Sequence, residues 1–174
     1  LRDAGIPAIA GVDTRALARH LRAHGCLRGI LTAPGQTDRV AAVAAARAVP
    51  RWEDQDFVAQ VSAAAAVEVG DAAVEPDAPL VAIVDFGLKA NIVRSLRRRG
   101  ARVRILPSTA AAATVLGPEI DGVVLSPGPG DPARLAGPVG LARDVIADGR
   151  PLLGICLGHQ IVARAAGAQT RRLR

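Results

Sequence analysis

Beyond Pro79 the chain alternates short strand-like segments, at 80–84, 103–106, 123–125 and 152–155, with stretches of helical spacing. The run at 80–84 has no polar alternation, which predicts a strand buried on both faces. The stretch at 88–99 carries Leu88, Ile92 and Leu96 on one helical stripe and meets Gly100 at its end, so it reads as an amphipathic helix. A short helix is expected at 109–116. Another is opened by Pro138 in its first turn and closed by Gly149. Strands and helices in this order fold as an open, mostly parallel sheet with helices on both faces, an α/β architecture. Ligands in such sheets gather at the carboxyl ends of the strands.

The residues before 79 read differently. A short strand is expected at 6–12. A helix then runs through His24, with Asp13 as its N-cap and Gly25 past its end. Leu17 and Leu21, four apart, are expected to share a buried face. An apolar run follows at 26–31. A second helix is expected at 38–49, capped by Thr37 and stopped by Pro50. The alanines favour helix over 52–69. The stretch 71–79 contains Pro76 and Pro79 among acidic residues and reads as a linker. The expected division is therefore 1–70, a linker at 71–79, and 80–174.

Chemistry concentrates in Gly154-Ile155-Cys156-Leu157-Gly158-His159-Gln160, where the last apolar run meets a helical segment. An isolated cysteine is more often a small buried residue than a reactive one. A cysteine between glycines at a strand-to-helix junction has the layout of a nucleophile elbow. The glycines let the backbone turn tightly, and the helix N-terminus favours negative charge. Both suit a thiolate attacking a carbonyl, with the Leu157 N–H aimed at a developing oxyanion. A second element is Ser126-Pro127-Gly128-Pro129-Gly130-Asp131-Pro132. It could be an ordinary turn. As a phosphate cradle it is disfavoured by Asp131 and by the lack of a following lysine. Stiffened by proline, with backbone amides exposed by glycine, it suits an oxyanion or carboxylate site. His159 lies on the helix of Cys156 and is read as structural, as is Cys26, which has no elbow around it. His20 and His24 are read as surface or packing residues.

A formal charge of +6 raises the question of nucleic acid. Aromatics are only 2% of the chain, no stacking motif is present, and Lys89 is the only lysine among many dispersed arginines. The basic residues are therefore read as solvated surface, without nucleic-acid binding. No apolar run approaches the ~20 residues of a membrane span. Cys26 and Cys156 are too far apart to suggest a disulfide framework, so a reducing, cytoplasmic setting without membrane association is expected. The chain begins at Leu1 and has no methionine, and we expect it to be a piece of a longer protein.

The cysteine motif resembles the nucleophile motif of class I glutamine amidotransferases, and the loop at 127–132 resembles their oxyanion loop. Gly11-Val12-Asp13-Thr14-Arg15-Ala16-Leu17 and Val84-Asp85-Phe86-Gly87-Leu88-Lys89-Ala90-Asn91-Ile92 are similar to segments of the carbamoyl-phosphate synthetase small subunit family. Pro127, where that family has Asn, and Ala90, where it has a basic residue, depart from the pattern. The resemblance implies that 1–70 is the C-terminal part of the subunit's N-terminal domain, the remainder of a smaller α/β domain. It implies that 80–174 is the N-terminal portion of the amidotransferase domain, an incomplete sheet. It implies Cys156 as the nucleophile forming a glutamyl thioester, and Gly128, Gly130, Leu157 and Gln160 as contacts for L-glutamine. No cofactor or metal is expected in this chain. Ammonia would pass to a large subunit that binds ATP and magnesium and makes carbamoyl phosphate for arginine and pyrimidine synthesis. The family's catalytic His and Glu are expected beyond Arg174. Two alternatives stay open: an inert piece serving at most to dock on a large subunit, or the amidotransferase of another synthase such as anthranilate synthase.

Overall fold

The computed structural model describes residues 1–33, 35, 38–69 and 77–171. The chain forms two compact units, Leu1–Gln55 and Asp56–Leu173. The first unit holds α1 (Thr14–His24) and α2 (Arg39–Ala48). Asp13 caps α1 as expected, its Oδ1 accepting the Ala16 N–H at 2.8 Å, and Gly25 follows at φ 79°. On α2 the cap is Asp38, which accepts from Val40 and Ala41; the expected cap, Thr37, lies outside the described residues. No strand forms at 6–12, for these residues find no pairing partner among the described residues. Leu17 and Leu21 do share a face, but that face is exposed rather than buried. Neither helix of this unit buries a residue.

The second unit begins earlier in the sequence than the expected domain division. Where helix was expected over 52–69, the chain makes a 3-10 turn at Trp52–Asp54, a short helix α3 (Phe57–Val61) and a strand β1 (Val67–Val69). Tertiary pairing overrides the helical propensity of the alanines. The segment 56–69 thus belongs with the sheet. The linker expected at 71–79 lies for the most part, 71–76, outside the described residues.

The four expected strands form as β2 (Leu80–Asp85), β3 (Arg102–Pro107), β4 (Gly122–Leu125) and β5 (Leu152–Gly154). Between them lie α4 (Ala90–Arg97), α5 (Ala112–Val115) and α6 (Ala136–Asp148), and α7 (Leu157–Ala165) follows β5. The sheet order is β1-β3-β2-β4-β5. β1 runs antiparallel to β3, and the other pairings are parallel. The mostly parallel sheet read from the sequence is therefore observed.

Alternate residues of the strands face opposite sides. Ala82, Val84, Leu106, Val123 and Leu125 join Val139 and Val145 of α6 and Leu157 and Ile161 of α7 in the larger core. Ile83, Val103 and Val124 pack with Val93, Ile92 and Leu96 of α4 in the smaller one. Both faces of the sheet are thus covered. Arg104 of β3 pairs with Glu68 of β1 and with Glu119, which follows α5. The Arg104 hydrogen bond holds the Glu119 carboxyl below its ordinary range, and Glu119 and Glu68 together raise Arg104. The chain leaves β2 for β3 on one side and returns to β4 on the other. The strand order therefore reverses between β2 and β4, the crevice where doubly wound sheets bind ligands. No helix among the described residues is long and apolar enough to cross a membrane.

Candidate active site

The carboxyl ends of β2, β4 and β5 carry three short loops that lock together around this crevice. The loop after β5 holds Cys156, whose side chain is exposed. Cys156 has φ 53° and ψ −107° and is the positive-φ residue other than glycine among those described. A side chain in that region strains the backbone by about 1–3 kcal/mol. The strain is held by close packing on either side. A Cβ at Gly154 would lie 2.6 Å from the backbone of Gly158, and a Cβ at Gly158 would lie 2.1 Å from the Leu125 carbonyl oxygen. Neither position admits a side chain without moving backbone. Hydrogen bonds complete the turn: the Ile155 N–H donates to Leu125 O at 3.0 Å, and the Gly158 N–H to Ser126 O at 3.2 Å. The elbow read from the sequence is present.

Cys156 is also the N-cap of α7, and the Gln160 N–H donates to its carbonyl at 3.1 Å. Leu157, at the first position of α7, has a buried side chain. Its N–H finds no backbone acceptor among the described residues, as expected for a first-turn amide. Gln160 and His159 are exposed one turn along. Among the described residues no hydrogen bond joins His159 to Cys156. The His20 and His24 rings lie 4.2 Å apart on α1, tilted by 30°, and Cys26 is exposed.

The glycine loop continues β4. Ser126 and Pro127 are buried, and Gly130 has φ 123°. Gly128 sits against the end of β2 so closely that a Cβ would fall 2.0 Å from Phe86 O. Gly87, at φ 133°, faces the same loop: its Cβ would meet Pro129 Cδ at 3.0 Å and Gly128 Cα at 3.1 Å. Asp131 then caps the 3-10 turn Pro132–Arg134 by accepting the Ala133 N–H. Gly128 and Gly130 on the glycine loop, Cys156 at the elbow, and Leu157 and Gln160 in the first turn of α7 thus lie at one end of the sheet.

Sequence reasoning did not single out the groups that fix those loops. Asp85, almost fully buried at the end of β2, accepts from Gly87 and Leu88 with Oδ1 and from Ala63 with Oδ2. Ser62 Oγ accepts the Ser108 N–H at 2.8 Å, and Val58 enters the larger core. The segment 56–63 is thereby fastened beneath the glycine loop. The available signal was a carboxylate ending an otherwise apolar strand just before Phe86 and Gly87.

An exposed thiol on a strained elbow, beside amides of a helix N-terminus and a rigid glycine loop, can attack an acyl carbon and stabilise the resulting oxyanion. This arrangement agrees with what the whole sequence matches. Residues 82–174 match the family described as glutamine amidotransferase class-I, and the chain belongs to that family. Over nearly its full length it is similar to curated proteins named carbamoyl phosphate synthase small chain. It is 42% identical to that of Symbiobacterium thermophilum over 180 residues, covering 99% of this chain and 47% of the relative. With that of Methanopyrus kandleri the identity is 38%, covering 100% and 47%. A solved structure from Thermoplasma acidophilum, described as a GMP synthase subunit, is 30% identical, covers 55% of this chain and 48% of that one, and has a TM-score of 0.47. The chain spans about half the length of the curated relatives it matches.

Proposed function

We propose that this chain carries the nucleophile of a glutamine-hydrolysing site that supplies ammonia for carbamoyl phosphate synthesis. The observation that carries the reading is the reach of the similarity. It extends to carbamoyl phosphate synthase small chains through residues that precede the amidotransferase match at 82–174. The elbow at Cys156 supports the chemistry independently.

In this reading Cys156 Sγ attacks the side-chain carboxamide carbon of L-glutamine and forms a C–S bond. The charge gathering on oxygen is met by backbone amides of Leu157 and of the loop holding Gly128 and Gly130. The C–N bond breaks as the nitrogen takes a proton and leaves as ammonia. Water then cleaves the thioester to glutamate, returning the thiol. Gln160, exposed on the first turn of α7, is placed to contact the bound amino acid. The general base is assigned to a histidine–glutamate pair of the complete protein, beyond Arg174. A large chain binding ATP and magnesium is the partner that consumes the ammonia, and the cytoplasm is the setting.

The test is Cys156→Ser in the complete gene product with its large chain. Ammonia release from glutamine should fall by roughly three orders of magnitude or more. Carbamoyl phosphate formation should persist when ammonium is supplied instead. Glutamine hydrolysis at the parental rate in the Ser variant would sink the assignment.

A further inference from the structure

The geometry points to Ser126 as a positioning residue, whose buried hydroxyl sets the direction of the amides that the glycine loop presents beside Cys156. The inference rests on the glutaminase reading of the site. Ser126 is fully buried where β4 ends, next to the point of strand-order reversal. Its backbone is committed to the sheet and the elbow: its N–H donates to Val84 O at 3.1 Å, and its carbonyl accepts from Gly158 at 3.2 Å. The side chain makes two further bonds. Oγ accepts the Phe86 N–H at 2.8 Å and donates to the Pro127 carbonyl at 2.8 Å.

The second bond fixes more than its own partner. The Pro127–Gly128 peptide is trans, as are all the described peptides. Its C=O and N–H point in opposite directions from one rigid plane. Holding the Pro127 oxygen against Ser126 therefore turns the Gly128 N–H away from Ser126. Gly128 cannot escape by sliding, because the end of β2 lies too close to it to admit even a Cβ. The hydroxyl thus links the end of β2, the orientation of the loop's first amide and, through the same residue's carbonyl, the cysteine elbow.

Removing only the hydroxyl separates these roles, since both backbone bonds of Ser126 survive. In the complete gene product with its large chain, Ser126→Ala is expected to lower kcat for glutamine about 10- to 100-fold, below the ~10²–10³-fold loss of a whole oxyanion donor. KM should change by less than about threefold, and alkylation of Cys156 by iodoacetamide should proceed within about twofold of the parental rate, because the elbow keeps its own bonds. A crystal structure of the variant should show the Pro127–Gly128 peptide rotated. A parental kcat, an alkylation rate that falls as far as kcat, or an unrotated peptide would each overturn the proposal. If Ser126→Ala does not fold, Ser126→Cys keeps the shape with a weaker hydrogen-bonding group; kcat should then fall at least about threefold, and an unchanged kcat would overturn the proposal. If the parental protein hydrolyses no glutamine, the glutaminase reading is what fails. The orientation of the peptide in the variant's crystal structure then decides the role of Ser126 alone.

Discussion

Cys156 holds a backbone conformation that suits glycine better than cysteine, and nothing about its side chain's burial repays that strain, since the residue is exposed. The fold tolerates the conformation because Gly154 and Gly158 leave no room for the turn to relax. This gives a prediction at the level of one residue. Cys156→Gly relieves strain of about 1–3 kcal/mol and gives back roughly 0.5–1 kcal/mol of unfolded-chain entropy. The variant should therefore melt no lower than the parental protein, and up to about 2.5 kcal/mol more stably, while on the proposed glutaminase reading the complete protein loses glutamine hydrolysis. Cys156→Ala keeps the strain and should melt like the parent. Thermal denaturation of the three proteins side by side checks this, and a marked drop for the Gly variant would contradict it. The cysteine turn and its glycines could be read from the sequence because small residues around a cysteine leave a local pattern. Ser126 and Asp85 could not, because each acquires its meaning from backbone groups supplied by distant parts of the chain.

Among the elements, the buried strands β2 and β4 were legible because apolar runs have few other uses in a chain with this helical spacing. The stretch 52–69 was not. Its alanines favour helix locally, whereas β1 exists only through its partner β3. The strand expected at 6–12 fails for the converse reason: an apolar run without a partner stays irregular. The β1–β3 pairing carries a surface link that can be probed by pH. Arg104 bonds Glu68 on β1 and Glu119 beyond α5, and the Glu119 carboxyl titrates below the ordinary 4.5 because the guanidinium favours its charged form. A carboxylate whose pKa is lowered on folding stabilises the fold above its unfolded value and loses that contribution as pH falls through the folded value. Glu119→Gln should therefore melt slightly below the parent at neutral pH, with the gap closing as pH drops below about 4.5. A gap that widens in acid would be inconsistent with this link.

At the scale of the whole molecule, the two units part between Gln55 and Asp56. The sheet unit therefore includes α3 and β1, which hold Val58 in the core and Ala63 on Asp85. A chain beginning at Asp56 should keep the sheet unit's melting temperature closer to the parental value than one beginning at Asp71, which loses β1 and both of those contacts. Calorimetry on the two truncations measures the difference, and equal melting temperatures would refute it. The Phe86–Ser126 hydrogen bond joins residues 40 apart in the sequence. During synthesis, β2 and β3 can pair while Ser126 has yet to be added, and domains form as the chain emerges. The Phe86 amide waits for that hydroxyl, and the cysteine turn waits in addition for Gly158 to reach the Ser126 carbonyl. The cysteine turn can therefore form only after β2, β4 and β5 have all been made, so a ribosome-bound chain holds no finished elbow until those three strands have emerged.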